Sequence, residues 1–374
     1  MNMRSFISLW SKRTHTNGLI YKVLKPFFHG KREFGKEDID QAFAHLLSIR
    51  GDNGKTCLQD NYIEPNPQYD LQIIIPTYNV ELYLEECMQS IFSQKTNYKY
   101  FISIIDDAST DSTRELLKKY EGVDNISITY QKVNGEQSPR NRALKHICAS
   151  YVMFLDSDDM LSDNAINLLM DEAKKTGADI VEGGFIRFGE GRINRKYSRR
   201  YVSTKDWTVL WGYPCMKVYR SYLFDDQAYP TGYWYPDTNS IFTLFNKAKR
   251  VSIIPDIVYY YRQNVTSESS RSHGSPLMLD KIWVTRSLLE DKLRLGQSMD
   301  LTAYEMLLLQ IHNNYTGTVS IEDEDVNFSV FMISCHLIYH YFPSFVGKAR
   351  RFKSLEKALI NKDYSAYRLY CDFQ

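Results

Sequence analysis

The feature that most constrains the fold is a regular alternation of strand-like and helix-like segments between residues 72 and 155. Short apolar runs that suit buried strands are separated by longer segments whose apolar residues recur every three or four positions. The pattern predicts strands at 72–75, 101–105, 126–130 and 151–155 and helices at 80–94, 111–120 and 138–150. A βαβαβαβ series of this kind predicts an α/β domain with a doubly wound sheet.

Three segments are predicted along the chain. Residues 1–69 form a basic N-terminal extension and a polar linker, residues 70–274 form the α/β domain, and residues 275–374 form a helical C-terminal region. Within the last segment, His336 and His340 have the i,i+4 spacing of a helical metal site. Neither a glutamate after His336 nor a third ligand accompanies them, so the pair is interpreted as structural.

Residues 1–36 contain eight basic residues and one acidic residue, a local charge of +7. Apolar residues recur at helical spacing between them: Leu19, Ile20, Val23, Leu24, Phe27 and Phe28. This composition suits a helix lying on the anionic inner face of a membrane. A basic arm packed against the rest of the protein accounts for the pattern equally well, and both interpretations stay open.

Composition excludes several classes of protein. The formal charge is +1, so the whole chain offers no broad positive field and no nucleic-acid partner is predicted. The six cysteines include no CxxC pair, which fits neither a zinc site nor a disulfide framework. Because no apolar run approaches the roughly 18 residues of a spanning helix, a cytoplasmic location is predicted.

Polar side chains follow three of the predicted strands. Thr77, Tyr78 and Asn79 follow the first strand, Asp106 and Asp107 follow the second, and three acids follow the last: Asp156, Asp158 and Asp159. Ligands of open α/β sheets bind beyond the carboxyl ends of the strands, so these clusters are expected to face one crevice. Crowded carboxylates suit Mn²⁺ or Mg²⁺ bridging to a diphosphate. A turn that caps a helix near Ser162 is the competing explanation.

Two further groups suggest a nucleotide ligand. The Asp107 carboxylate could accept a hydrogen bond from the N3–H of uracil, because Asp111 and Ser112 already provide a cap for the next helix. Arg140 and Arg142 begin a predicted helix, where a guanidinium and the helix end together attract phosphate. Surface salt bridges explain the two arginines equally well.

Four segments resemble the inverting family 2 glycosyltransferases with the GT-A nucleotide-diphospho-sugar transferase fold, particularly bacterial capsule, exopolysaccharide and lipooligosaccharide enzymes. They are, in order, IIIPTYNVELYLEECMQSIFSQ, IIDDASTDST, NGEQSPRNRAL and YVMFLDSDDML. Together they cover residues 71–161, and a looser similarity continues to about residue 269. The resemblance implies transfer of a sugar from a nucleoside diphosphate donor, UDP above all, to a hydroxyl of a glycan or lipid-linked acceptor.

The resemblance also implies roles for individual residues. Pro76, Tyr78 and Glu81 border the nucleotide, and Asp107 contacts the base. Asp156 contacts ribose or metal, Asp158 is the main metal ligand, and Arg140 contacts ribose or diphosphate. Arg262 is expected to close over the diphosphate, and Asp237 occupies the place of the catalytic base.

The sequence departs from the family pattern at two places. The base usually belongs to a Glu-Asp pair, and here Pro236 precedes Asp237. This departure changes how the base is tuned and held. The second is Glu136-Gln137, where the family prefers small residues, which alters the expected donor pocket.

Four aromatic residues lie in the part of the sequence expected near the acceptor. Trp211, Tyr213, Trp234 and Tyr235 could stack on an acceptor sugar, although core packing is favoured for each.

Two alternative functions stay open. A nucleotidyltransferase shares the α/β sheet and acidic metal ligands, and an inactive sugar-nucleotide-binding scaffold fits the departure at Pro236. The interpretation as a dehydrogenase is disfavoured, because no GxGxxG motif follows the first predicted strand.

Overall fold

The computed structural model describes residues 17–135, 138–189, 192–263 and 272–374. They divide into two compact units. The sheet unit comprises residues 56–231 and 236–263, and the helical unit comprises residues 17–55, 232–235 and 272–374. This division differs from the three predicted segments, because residues 17–55 group with the C-terminal helices and residues 56–69 group with the sheet.

The sheet unit contains strands of two to twelve residues. In chain order they are β1 (Tyr62–Ile63), β2 (Tyr69–Thr77), β3 (Tyr100–Asp106), β4 (Ile126–Tyr130), β5 (His146–Ile147), β6 (Ala149–Phe154), β7 (Met160–Leu161), β8 (Ile180–Gly189), β9 (Arg192–Tyr197), β10 (Val202–Thr204), β11 (Lys217–Arg220) and β12 (Val251–Arg262). The main sheet has the order β10-β12-β8-β11-β6-β2-β3-β4, with β7 paired to β12 and β9 paired to β8.

Parallel and antiparallel pairing separate the two sides of the sheet. Strands β6, β2, β3 and β4 are parallel, as the predicted series requires. Strand β11 is antiparallel to both of its neighbours, β6 and β8. The doubly wound mixed sheet expected from the sequence is therefore confirmed.

Strand β2 continues through Pro76 to Thr77, two residues beyond its predicted end. Its pairing with β6 ends at Ile74, while its pairing with β3 continues to Thr77. Pro76 is tolerated because one side of β2 has no neighbouring strand at that position, so the missing N–H breaks no ladder. The extension carries the following loop to the edge of the sheet.

Helices in the sheet unit are shorter than predicted. They are α3 (Leu84–Phe92), α4 (Thr113–Leu117), α5 (Pro139–Leu144) and α6 (Ala165–Thr176). The predicted helix at 138–150 ends early because His146 and Ile147 pair with β1 and the buried strand β6 begins at Ala149. Extended pairing here overrides local helical periodicity.

Both faces of the sheet are covered, as alternation along β2 requires. Ile73 and Ile75 lie in one buried cluster with Leu84, Met88 and residues of α6. Ile74 lies in the opposite cluster with Leu144 of α5 and Phe154 of β6. Fully buried central strands of this kind fix the register and hold their carboxyl ends in place.

The helical unit consists of α1 (Asn17–Leu24), α2 (Lys36–Ile49), α7 (Asp280–Arg294), α8 (Leu301–Thr318), α9 (Glu324–Tyr341), α10 (Lys353–Ile360) and α11 (Tyr364–Phe373). His336 and His340 stack at 5.5 Å between ring centroids, and His336 also contacts the Phe43 ring. These aromatic contacts agree with the structural interpretation of the pair. Among the helices in the described ranges, none combines the length and the apolar character that a bilayer crossing requires.

Candidate functional site

The loops after β2 and β3 are bound to each other through Asn79. Its backbone has a left-handed φ of 50°, and its side-chain carbonyl accepts a hydrogen bond from the Thr110 N–H at 2.8 Å. Its own N–H donates to the Ser109 hydroxyl at 3.0 Å. Asparagine is one of the few residues that adopt this conformation readily, so the sequence at this turn suits its geometry.

Glu81 and Asp111 strengthen the same connection reciprocally. The Glu81 N–H donates to Asp111 Oδ2 at 3.1 Å, and the Ser112 N–H donates to Glu81 Oε2 at 2.8 Å. Asp111 Oδ1 also accepts from the Thr113 N–H at 3.0 Å, which is the helix-capping role predicted for Asp111. Glu81 therefore holds the loop beside Tyr78, whose side chain is exposed.

The two acids after β3 have different surroundings. Asp106 is fully buried and bound by Arg114 Nε at 2.6 Å, which indicates a structural role. Asp107 is half-buried, and its carboxylate oxygen Oδ1 accepts hydrogen bonds from Gln131 Nε2 at 2.6 Å and the Gly135 N–H at 2.9 Å. The backbone turns directly after the two acids, at Ala108, with a φ of 60°. Contact between Asp107 and a base stays a prediction.

The Asp156 carboxylate is held from two sides at the end of β6. Arg140 Nη2 donates to Oδ1 at 2.5 Å, and the Cys215 thiol donates to Oδ2 at 3.1 Å. The Asp156 N–H donates to the Tyr259 hydroxyl at 3.2 Å. The following helix begins at Ala165 with Asn164 as its N-cap, so the Asp156–Asp158 turn is not the cap of that helix.

Burial raises the pKa values of the next two acids. Desolvation, followed by the charge of Asp156, raises the pKa of Asp158 to about 6. Asp159 is almost completely buried, and desolvation and the charges of Asp158 and Asp156 raise its pKa well above the usual range. Its carboxylate accepts hydrogen bonds from the Tyr259 hydroxyl and the Arg262 N–H, both at 2.7 Å. The three acids thus form the electrostatically crowded cluster that the sequence predicts.

One guanidinium connects the predicted donor and base residues. Arg140 contacts Asp156, and its Nη1 lies 3.5 Å from Asp237 Oδ1. Asp237 lies in a short 3₁₀ turn, Pro236–Thr238, and its side chain is 43% exposed. The salt bridge expected as an alternative for Arg140 is therefore present, but it lies inside the site. Arg142 on the same helix is exposed.

Arg262 is already engaged within the sheet unit. Its Nε donates to the Asp158 carbonyl at 2.8 Å, and its Nη2 pairs with Glu86. The guanidinium also lies over the rings of Tyr83 and Phe188, at 4.8 and 4.6 Å from their centroids. Closure of Arg262 over a diphosphate stays a prediction, and it requires exchange of these contacts.

A buried ion-pair network beside the acids is absent from the sequence-based expectations. Lys217 and Glu182 are both fully buried, and Lys217 Nζ lies 2.8 Å from Glu182 Oε2. Arg199 contacts the other oxygen of Glu182 and lies over the Trp211 ring. The only signal in the sequence was the segment MKVYR, whose lysine falls in an otherwise apolar strand.

The chemistry of the acids fits a divalent cation, although the geometry is not that of a complete protein cage. Among the described residues, no three His, Cys, Asp or Glu side chains converge in a metal-binding arrangement. Mg²⁺ commonly takes only one or two carboxylates and completes its shell with water and substrate phosphate. Asp158 and Asp156 could supply those two ligands.

The four aromatic residues differ in their surroundings. Trp211 and Tyr213 both pack edge-to-face on Phe185, at 5.4 and 6.4 Å between ring centroids, but Tyr213 is 49% exposed. The Tyr235 hydroxyl donates to Ser272, and the Trp234 N–H donates to Asp280 within the helical unit. Core packing is therefore the clearer role for Trp211, and Tyr213 exposes part of its ring beside its contact with Phe185. Glu136 and Gln137, the second departure from the family pattern, lie outside the described residues.

Comparison with known proteins adds independent information on this domain. Residues 72–238 match the model of the family described as Glycosyl transferase family 2. The chain is 29% identical over 202 residues to the poly(ribitol-phosphate) beta-glucosyltransferase of Bacillus spizizenii, a match covering 51% of this chain and 32% of that relative. It is 28% identical over 220 residues to the poly(ribitol-phosphate) beta-N-acetylglucosaminyltransferase TarS of Staphylococcus aureus, covering 54% and 37%.

A solved structure shares the fold. The crystal structure of S. aureus TarS 1–349 in complex with UDP-GlcNAc superposes with a TM-score of 0.63 at 20% sequence identity, covering 81% of this chain and 90% of that one. The curated matches extend over only about a third of each relative. The family model, the order of the motifs and the fold agree over this stretch, and residues 72–238 match glycosyl transferase family 2.

Proposed function

We propose that this chain is an inverting glycosyltransferase that moves a sugar from a UDP-sugar to a hydroxyl of a glycan or lipid-linked acceptor in bacterial surface polysaccharide synthesis. The observation that carries the proposal is the contact of Arg140 with both Asp156 and Asp237. It brings the residues expected to face the donor and the acceptor to one point at the carboxyl ends of the strands.

The relatives support the choice of donor. Their names describe glucosyl and N-acetylglucosaminyl transfer, and the TarS structure contains UDP-GlcNAc. A UDP-activated hexose or N-acetylhexosamine is therefore proposed here. Asp107 follows β3, with Pro76 at the end of β2 and Tyr78 just after it, and these residues are proposed to bind the uracil base by hydrogen bonds and apolar contact.

The reaction is a single displacement. Asp237 accepts the proton of the acceptor hydroxyl as that oxygen forms a bond to the anomeric carbon. The bond between this carbon and the β-phosphate oxygen breaks at the same time, and the electron pair leaves with UDP. Attack from the face opposite the leaving group inverts the configuration at the anomeric carbon.

Arg140 has to change partners for Asp237 to act as a base. A carboxylate paired with a cation is a weaker proton acceptor, because the positive charge stabilises its ionised form. The donor diphosphate offers the guanidinium a bidentate partner. Donor binding would thus draw Arg140 from Asp237 and free the base only when a donor is present.

The proposed enzyme depends on Mn²⁺ or Mg²⁺, held by Asp158 and Asp156. When bound, such a cation neutralises negative charge on the diphosphate leaving group. The raised pKa of Asp158 supports this assignment, because the crowding and burial that raise it would be relieved by a bound cation. Arg262 stays beside Asp158 and can add a further positive charge there.

The decisive experiment is product analysis with UDP-sugars and candidate acceptors, with and without Mn²⁺ or Mg²⁺. UDP release with transfer of the sugar is expected, whereas pyrophosphate release would identify a nucleotidyltransferase. Asp237→Asn should bind donor normally and lose at least about 10² in turnover. Asp163→Asn, an exposed acid near the same cluster, is the control. Wild-type turnover of Asp237→Asn would reject the base, and no activity in the native chain would favour a scaffold.

A second observation favours peripheral contact with the inner face of the membrane. On and after α1, Leu19, Val23 and Phe27 are 65%, 59% and 81% exposed, whereas Tyr21 is buried within the helical unit. Lys22 and Lys25 flank these apolar side chains. Exposed apolar groups beside lysines suit an anionic lipid surface, where each basic group contributes about 1 kcal/mol. The bases before residue 17 lie outside the described residues.

Vesicle binding tests this contact without removing the helix. Phe27→Ser with Lys22→Glu should weaken sedimentation with vesicles containing phosphatidylserine by about tenfold or more at low salt. The control is Val346→Ser, which removes a similarly exposed apolar side chain from the helical unit. Equal binding of all variants would reject a membrane role for this surface and leave the packed-arm interpretation.

A further inference from the structure

The loop that precedes β11, residues 211–216, has its backbone bound at nearly every position. The carbonyls of Tyr213 and Cys215 accept from Lys217 Nζ at 2.6 and 3.4 Å. The Pro214 carbonyl accepts from the Tyr219 hydroxyl at 2.9 Å, and the Met216 carbonyl accepts from the Gly183 N–H at 3.0 Å. A loop bound in this way has one defined conformation rather than many.

Met216 shows that this conformation is imposed by its surroundings. Its φ is 59°, in the left-handed region that an unbranched side chain with no local hydrogen bond seldom adopts. Such a residue costs about 1–3 kcal/mol and persists only where neighbouring contacts compensate. The conformation places the buried Cys215 side chain against Asp156 and leaves the neighbouring Tyr213 ring exposed.

Besides the Tyr219 hydroxyl and the Gly183 N–H, the contacts on this loop come from the Lys217–Glu182 pair. Antiparallel register places the two residues opposite each other on β11 and β8, with both side chains fully buried. Glu182 Oε2 also accepts from the Trp211 N–H at 2.9 Å, at the start of the loop. One buried pair thus binds the loop at Trp211, Tyr213 and Cys215.

Burying two charges is expensive, and a pair of apolar residues would fill the same space at lower cost. Burial lowers the pKa of Lys217 to about 7, which is the direction expected of an ammonium group removed from water. The three acceptors around Nζ match its three protons and favour the charged form. Stability alone does not explain why the protein buries this charged pair. Its hydrogen bonds to the loop at 211–216 provide an explanation.

We propose that Lys217 and Glu182 are positioning residues for the active site: they hold the loop so that the Cys215 thiol orients the Asp156 carboxylate. Asp156 then has one oxygen fixed by Cys215 and the other by Arg140. Neither Lys217 nor Glu182 needs to touch substrate. This inference rests on the proposed function of Asp156, although the conformation of the loop can be measured separately.

The test compares two buried lysines. Lys217→Met removes the ammonium group from the loop, and Lys292→Met removes an equally buried one from α7 of the helical unit. Reaction with N-ethylmaleimide is followed by peptide mass spectrometry at Cys215, with Cys335, buried in α9, as the indicator of global unfolding. Loss of a charged hydrogen-bond donor should raise the rate at Cys215 about tenfold or more.

We expect Lys217→Met to react faster at Cys215 and normally at Cys335, and to lose about tenfold or more in kcat with a smaller change in acceptor KM. Lys292→Met should keep wild-type kcat and Cys215 protection. An unchanged Cys215 rate in Lys217→Met would overturn the proposal whether or not the chain transfers sugar. A changed Cys215 rate with unchanged kcat would show that the loop is held but does not position Asp156.

A double variant distinguishes loss of the loop contacts from an imbalance of buried charge. Glu182→Gln in the Lys217→Met background removes the buried carboxylate that has lost its lysine partner and keeps only Arg199, while the glutamine can still accept from the Trp211 N–H. The carbonyls of Tyr213 and Cys215 remain without their donor, so Cys215 should stay reactive and kcat low. Recovery of both properties would overturn the positioning role and assign the pair to charge compensation alone.

Discussion

The two halves of the sheet contribute to the candidate site in different ways. The first half, β2–β7 with their loops, supplies the side chains expected to contact ligand, among them Asp107, Arg140 and Asp158. The second half, β8–β12 with their loops, supplies the proposed base Asp237 and several groups that hold the loop at 211–216 and the acids after β6, including Lys217 and Tyr259. Apart from Asp237 and Arg262, contact and support are therefore encoded in separate stretches of one domain.

The difference follows from strand connection. In the first half, parallel strands joined through helices end at the same edge, so each loop is brought to the crevice by its own preceding strand. In the second half, antiparallel and long-range parallel pairs bring together residues distant in sequence. Glu182 lies opposite Lys217, and the Tyr259 hydroxyl binds Asp159, which directly precedes β7, a strand paired with β12.

The largest loss of activity should come from a substitution in the first half of the sheet. Asp158→Asn keeps the shape of the side chain and removes the charge proposed to bind the cation, so kcat/KM should fall by about 10³. Steady-state assays across a Mn²⁺ titration measure the loss. If Asp158→Asn lowers kcat/KM less than Lys217→Met does, the proposed difference between the halves is wrong, because a supporting residue would then matter more for activity than a residue that contacts ligand.

The sequence predicted the parallel half of the fold and the residues at its edge, because periodicity and strand–loop order are local properties. It also predicted the crowding of Asp156, Asp158 and Asp159. It did not predict the contact of Arg140 with Asp237, because that contact depends on the three-dimensional course of the chain between them. Nor did it predict the Lys217–Glu182 pair, because a buried charge is recognised only once the opposing strand is known.

An effect of intermediate size is expected on stability. The folded pKa of Asp158 is raised to about 6, so between about pH 4 and 6 the folded state keeps a proton that the unfolded state has lost. The free energy of unfolding should therefore fall as pH rises through this window, by about 2 kcal/mol after allowance for partial exposure. Urea unfolding in a chelator, compared with Asp158→Asn, measures this contribution.

The Asp158→Asn variant has no carboxyl group at this position, so its free energy of unfolding should not show this fall. Its stability relative to the native chain should therefore increase from pH 4 to 6. Added Mn²⁺ should stabilise the native chain above pH 6 and the variant much less. Equal pH dependence in the two proteins would show that Asp158 carries no electrostatic strain. The crowding attributed to the first half would then have to lie in Asp156 and Asp159.

The smallest effect should come from Tyr259→Phe, which tests the second half with the loss of one hydroxyl. That hydroxyl accepts from the Asp156 N–H and donates to Asp159, so it links the backbone of one acid to the side chain of another. Its removal should lower kcat by about tenfold, because one buried hydrogen bond contributes about 1 kcal/mol and two groups lose their partner. Steady-state kinetics measure the loss.

Tyr260→Phe is the matched control, since it removes the same atom from the next residue of β12 and should leave kcat unchanged. Thermal unfolding of both variants separates loss of positioning from loss of stability. If Tyr259→Phe matches Tyr260→Phe in kcat, the second half does not orient the acids through Tyr259. A loss approaching that of Asp158→Asn would instead mean that the orientation of the acids matters as much as their charge, and the distinction between contact and support would no longer follow the two halves of the sheet.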